Sequence, residues 1–238
     1  MILTVQNLSF SYANQAIFED LSLDVPEGTI YGLLGLNGQG KSTLIKLITG
    51  LYESSGGSIE LFGVSLIPKN RDSILQKLGV LIEQSPLYEN MTAFENLKII
   101  QIARKLPQQS IEDILEKVNL SKSIHAKVET FSMGMKQRLG IALALIASPK
   151  FIILDEPTNG LDPLGVEEFR EMVLKLNQEM GITFLISTHI IAELEQYATD
   201  FCILHGGKIV ASGKVKDLQN SIQSSNTSLK DFFIAKVS

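Results

Sequence analysis

Residues Gly35-Leu36-Asn37-Gly38-Gln39-Gly40-Lys41-Ser42 read G-x-x-x-x-G-K-S, and their flanks restrict the fold that can carry them. Ahead of the loop, Ile30–Leu34 is an apolar run that suits a buried strand. Behind it, Leu44, Ile45, Leu47 and Ile48 fall on one face of a helix. Glycines between the two let the backbone curl so that successive N–H groups converge. The start of the following helix adds its partial positive charge at the same place. Strand, loop and helix in this order predict a backbone cradle for phosphate groups. Lys41 is expected to reach β- and γ-phosphates, and the Ser42 hydroxyl to ligate Mg²⁺.

The chain is long enough to build a core around such a loop. Its 238 residues, 45% hydrophobic and 20% charged, have the composition of a folded protein of one domain or two lobes. A formal net charge of −5 offers no electrostatic basis for nucleic acid as a partner. The single cysteine, Cys202, excludes an internal disulfide, and its apolar surroundings at 201–204 suit a small buried filler. Met1 leads directly into strand-like sequence, so no secretory signal is expected. The longest apolar run, around residues 139–147, falls well short of the roughly 20 residues needed to cross a bilayer. Any membrane role is therefore expected to come through a partner.

The first part of the chain reads as strands: Leu3, Val5 and Phe10, then 17–25, then Ile30–Leu34, then 58–62 after the Gly56-Gly57 turn signal. From about Thr92 to Ala147 the pattern turns helical, with Phe94, Leu97 and Ile100 before Pro107, and Ile111, Ile114, Leu115 and Val118 after it. Beyond that, strands (151–154, 183–187) alternate with helices (Pro163–Met180, 190–197). Strands at 201–205 and 208–211 flank Gly206-Gly207 as a hairpin. The alternation predicts an α/β fold: a mostly parallel core sheet wrapped by helices, an antiparallel β edge and an inserted helical lobe. The stretch 221–228 is polar and expected to be a flexible tail, with Leu229, Phe232 and Phe233 docking as a last helical turn.

A second set of residues bears on the same chemistry. Residues 151–154 are apolar and end in Asp155 and Glu156, as a buried parallel strand does at the end where α/β sheets place ligands. Asp155 is a candidate Mg²⁺ ligand, through water, and Glu156 a candidate acceptor for the proton of an attacking water. Solvated acids at a strand end are common, so the phosphate loop in the same chain is what favours the functional reading. Asp162 before Pro163 is a helix N-cap followed by proline at the first helical position. His189, after Ser187-Thr188 at a strand end, is placed to contact a γ-phosphate, although a lone histidine is more often a packing residue. Ser132 in Phe131-Ser132-Met133-Gly134-Met135-Lys136-Gln137-Arg138 is a plausible N-cap, and the loop amides there make a second anion-facing helix start.

With these motifs in order, the chain resembles the ATP-binding subunit of an ATP-binding-cassette (ABC) transporter, a P-loop NTPase, from Met1 to about Gly213. Residues 35–43 resemble the Walker A loop, 151–156 the Walker B strand, 159–162 the D-loop, 187–189 the switch-histidine segment and 131–138 the family signature. Tyr12 matches the aromatic that stacks on adenine. The resemblance implies a single ABC ATPase domain over 1–220, with a RecA-like core at 1–85 and 150–213, a helical subdomain at about 86–149 and a tail at 221–238. It implies ATP and Mg²⁺ as cofactors, with Tyr12, Asn37, Gly38, Gly40, Lys41, Ser42 and Thr43 on the nucleotide. It also implies a head-to-tail pair, in which Ser132 and Gly134 contact the γ-phosphate held by a second ABC subunit and Asp162 connects the two sites. Glu156 would then polarise the water and His189 hold the γ-phosphate.

Two departures from the family pattern matter. The signature keeps its serine and second glycine but has Met133 and Met135 in place of the first glycine and the glutamine. Upstream of Thr92-Ala93-Phe94-Glu95-Asn96, the family's glutamine position holds Glu83, with Gln84 one residue later; the two-acceptor carboxylate of Glu83 can bind Mg²⁺ or a water, and Glu83 is preferred over Gln84 as a metal ligand alongside Ser42 and Asp155. Glu83 with a Ser-x-Gly-Met-Lys-Gln-Arg signature resembles the bacitracin and lantibiotic exporter group. That group implies a separate transmembrane permease subunit and a cytoplasmic location on the inner face of the cell membrane. Alternatives are a compact importer ATPase and a soluble ABC-type ATPase of iron–sulfur assembly.

Overall fold

A computed structural model of the chain describes residues 1–13, 15–82, 87–106, 110–225 and 228–237. Its strands are β1 (Leu3–Tyr12), β2 (Gln15–Val25), β3 (Ile30–Leu34), β4 (Gly56–Leu61), β5 (Val64–Ser65), β6 (Leu78–Leu81), β7 (Phe151–Asp155), β8 (Thr183–Thr188), β9 (Asp200–His205) and β10 (Lys208–Lys214). Its helices are α1 (Lys41–Ile48), α2 (Arg71–Leu75), α3 (Ala93–Ala103), α4 (Ile111–Lys117), α5 (Met133–Leu145), α6 (Pro163–Met180), α7 (Ile191–Tyr197), α8 (Val215–Ser225) and α9 (Leu229–Val237). They divide into two compact units, Met1–Leu75 with Thr183–Ser238, and Gln76–Ile182.

In the first unit, β3 is buried along its whole length, which a strand paired on both edges and covered on both faces requires. It runs parallel to β8 on one side, Leu34 opposite Thr188, and parallel to β9 on the other, Leu34 opposite Ile203. β10 closes antiparallel on β9. A second, antiparallel sheet has the order β2-β1-β4-β5. Leu21, Leu23 and Val25 on β2 are buried while Ser22 and Asp24 between them are exposed, the period-2 signature of a sheet with one face covered.

The C-terminal stretch departs from expectation. The polar residues after 220 do not leave the fold at once: α8 continues to Ser225. Val215, Leu218 and Ile222 are spaced along one helical face and pack on Leu34, Phe201 and Ile203. α9 is longer than one turn, and Phe233 on it is buried in the same cluster. Polarity on the outer face of α8 concealed an apolar inner one.

In the second unit, β6 and β7 pair in parallel, Leu78 opposite Phe151 through Leu81 opposite Leu154. The helices between them carry strong start signals. Thr92 caps α3 in a reciprocal capping box with Glu95, whose carboxyl is held below the usual range by the Thr92 backbone and hydroxyl donors. Ser110 caps α4 and Ser132 caps α5. Asn96, almost fully buried, donates to the Tyr88 and Thr92 carbonyls and accepts from the Tyr88 N–H, pinning the chain that enters α3. α6 starts on Asp162 with Pro163 at its first turn and stops at Gly181 in the left-handed region.

Candidate nucleotide site

The loop from Gly35 to Gly40 joins β3 to α1 in the first unit. Gly38 and Gly40 lie at φ +79° and +97°, where a side chain is strained. At Gly40 there is also no room, since a Cβ would sit 2.9 Å from the Phe18 ring. α1 then starts without a side-chain cap and without an acid in its first turn. Its leading amides and its dipole therefore stay available to an anion.

Lys41 is 5% exposed. Its Nζ donates to the Gly35 carbonyl at 2.8 Å and the Leu36 carbonyl at 3.2 Å, which centres the ammonium charge inside the loop. Ser42 and Thr43 follow on the first turn of α1, both half-buried. The Tyr12 hydroxyl lies 3.3 Å from Thr43 Oγ1, and the Tyr12 ring is 42% exposed. Phe10, Tyr12 and Tyr52 form an aromatic cluster beside the loop: Phe10 is edge-on to Tyr12 at 4.9 Å and stacked on Tyr52 at 5.7 Å. A half-exposed aromatic ring one turn from a phosphate cradle suits a nucleobase.

His189 reaches the same end of this unit. Thr188, the last residue of β8, accepts the Gly35 N–H on its carbonyl at 3.2 Å, so His189 leaves the sheet beside the first glycine of the loop. Gln39 Oε1 accepts the Gly206 N–H at 2.8 Å, tying the crown of the loop to the β9–β10 turn. The first unit thus brings together Tyr12, Asn37, Gly38, Gly40, Lys41, Ser42, Thr43 and His189.

In the second unit Asp155 ends β7 and is 5% exposed. Glu156 follows at φ +45°, a left-handed conformation that costs a non-glycine residue about 1 kcal/mol or more. The turn it starts is closed by Asn159 N–H donating to the Glu156 carbonyl at 3.1 Å. Ser132, Gly134 and Asp162 line one cleft of about 380 Å³ together with Met133, Gly160 and Arg138. Ser132 Oγ accepts the Met135 N–H at 3.3 Å and Asp162 Oδ1 the Gly165 N–H at 2.8 Å. Two capped helix starts therefore face this cleft, and an Arg138–Glu168 ion pair borders it.

The oxygen donors at Ser42 and Asp155 are hard ligands of the kind Mg²⁺ takes. No hydrogen bond engages the Ser42 hydroxyl among the described residues. Glu83 and the alternative Gln84 lie outside the described residues. Several residues the sequence did not single out hold the site. Gln39 and Thr188 tie loop segments together, Tyr52 backs Tyr12, and Glu193 is a buried acid behind Thr188. Nothing in the sequence marks Glu193, whose burial and grip on Thr188 come from folding. The Cys202 thiol is fully buried and pushed up to about 12 by that burial, which confirms it as a filler.

The family model described as ABC transporter matches residues 18–159. The lantibiotic transport ATP-binding protein SrtF of Streptococcus pyogenes is 42% identical over 92% of this chain and 93% of its own. The bacitracin transport ATP-binding protein BcrA of Bacillus licheniformis is 43% identical over 88% of this chain and 68% of its own. Among solved structures, an ATP-binding subunit of an ABC transporter superposes with TM-score 0.85 at 32% identity, covering 99% of both chains. An ATP-binding cassette in an ADP conformation superposes with TM-score 0.82 at 26% identity, covering 95% of this chain and 96% of that one. Among the described residues no helix is long and apolar enough to cross a membrane. With the phosphate cradle, the aromatic beside it and both capped helix starts in place, this chain belongs to the ABC transporter family as one of its ATP-binding, ATP-hydrolysing subunits.

Proposed function

We propose that the chain powers export of a drug or peptide antibiotic through a separate membrane subunit, at the inner face of the cell membrane. The observation that carries this reading is the similarity, above 40% over about nine-tenths of this chain, to transport subunits for a lantibiotic and for bacitracin.

The roles follow from the chemistry each residue offers. The amides of residues 37–43 and the Lys41 ammonium hold the β- and γ-phosphates, and the Tyr12 ring stacks on adenine. Ser42 and Asp155, with Glu83, would hold Mg²⁺, which would supply positive charge to the phosphate oxygens. Glu156 orients the attacking water and takes up its proton, while His189 holds the γ-phosphate. Ser132 and Gly134 contact the γ-phosphate carried by a second ABC subunit, and Asp162 links the two sites. Hydrolysis then depends on closure of the pair, because positioning and charge stabilisation supply most of the rate.

Affinity purification of the tagged chain from detergent-solubilised membranes tests the transport reading. A multi-spanning membrane protein is expected to co-purify, and ATP turnover of the complex to rise with a lantibiotic or bacitracin. Recovery of soluble partners alone, or stimulation by an imported nutrient instead, contradicts it.

A further inference from the structure

We propose that Glu193 is a positioning residue for ATP hydrolysis, which holds the His189 corner against the phosphate loop by gripping Thr188. The proposal rests on the reading of His189 as the γ-phosphate contact and adds the residue that sets its position.

Thr188 is the hub. Its carbonyl accepts the Gly35 N–H at 3.2 Å, its hydroxyl accepts the Ile190 N–H at 3.0 Å, and the same hydroxyl donates to Glu193 Oε2 at 3.1 Å. One side chain therefore fixes the residues on both sides of His189, and the backbone of the same residue fixes the start of the loop. With Oγ1 held by the Ile190 N–H, the threonine hydroxyl hydrogen still turns about the Cβ–Oγ1 bond until an acceptor fixes its direction. Glu193 is that acceptor. It is 7% exposed, so its contact with Thr188 is little weakened by competing water.

Glu193 is itself held firmly. It lies in the first turn of α7, whose start at Ile190 has no side-chain cap, and its N–H donates to the Ile190 carbonyl at 3.2 Å. The next residue, Leu194, is 1% exposed and packs onto β3 at Gly32, where a Cβ would fall 2.4 Å from Leu194 Cδ1. α7 can thus sit directly on the strand that feeds the phosphate loop. The buried Tyr197 hydroxyl is pushed above its usual range by burial and by the nearby Glu193 charge. A costly acid inside this packing, rather than an apolar residue, fits a need for directional grip at Thr188.

The test is ATP turnover by the full chain bearing Glu193→Ala or Thr188→Val, together with amide exchange at Gly35 and Ile190. Both variants are expected to lower kcat about ten- to a hundredfold with KM for ATP within about twofold, since misplacement by a fraction of an ångström acts on the reacting geometry. Exchange at both amides is expected to speed up. Glu193→Gln, which keeps an acceptor for the hydroxyl, restores kcat to within about twofold of the parent. The double variant Glu193→Ala/His189→Ala turns over no more slowly than His189→Ala alone. Unchanged kcat, a parallel rise in KM, or losses that add to those of His189→Ala overturn the proposal. Melting curves separate a folding defect from a catalytic one, and Thr188→Val provides the second route if Glu193→Ala unfolds. Parental turnover by His189→Ala defeats the reading of His189; unchanged amide exchange in Glu193→Ala defeats the grip itself.

Discussion

At the scale of single residues, the loop lysine is the group whose removal is most informative. Lys41 brings a full positive charge, almost wholly buried, into a loop that otherwise offers only partial charges on amides. Lys41→Ala is expected to remove measurable ATP binding, and calorimetry that finds the parental affinity overturns the assignment. Cys202 makes the opposite prediction. With its thiol raised to about 12 by complete burial, it stays protonated at pH 9, and the thiolate is the reactive form. A thiol reagent at that pH is expected to modify none of the native protein and one thiol per chain after denaturation. Because burial raises this pKa from about 9 to about 12, the associated stability is present below pH 9 and is lost as pH rises through that window.

At the scale of elements, local signals with a single strong cause were readable. Asp162 and Pro163 mark the start of α6, and the helix spans Pro163–Met180 as the sequence predicts, stopping at Gly181. The apolar run at 30–34 became a wholly buried strand for the same reason. Elements whose stability comes from neighbours were not readable: β5 has two residues and α2 has five, too few to show a period. α8 was concealed by an outer polar face, although Val215, Leu218 and Ile222 mark its inner one. In the candidate site, residues joined by backbone continuity were legible from spacing. Contacts made through folding, such as Gln39 to Gly206 or Glu193 to Thr188, were not.

Two element-scale substitutions check these packing claims. Asn96→Ala leaves both Tyr88 backbone groups without their side-chain partner, and is expected to cost about 1–3 kcal/mol in denaturant unfolding. Phe233→Ala empties a buried position on α9 and is expected to cost about 3 kcal/mol. A midpoint unchanged from the parent in either case shows that the contact does not hold the element in place.

At the scale of the whole molecule, the two compact units carry different parts of the chemistry. The glycine-rich loop, the Tyr12 ring beside it and His189 belong to one. Asp155, Glu156 and the cleft at Ser132, Gly134 and Asp162 belong to the other. In the proposed pairing, the helix starts at Ser132 and Asp162 complete a phosphate site held by a second subunit. In that proposed mechanism, nucleotide binding closes the pair and hydrolysis reopens it.

Size-exclusion chromatography of the Glu156→Gln chain with Mg-ATP tests this most directly. Glutamine keeps the size of the side chain and, on the proposed role of Glu156, removes the acceptor for the water's proton, so ATP is expected to bind and not to be consumed. The variant is predicted to elute as a dimer with ATP and as a monomer without it. A variant that stays monomeric with bound ATP, or that hydrolyses at the parental rate, contradicts the shared-site mechanism.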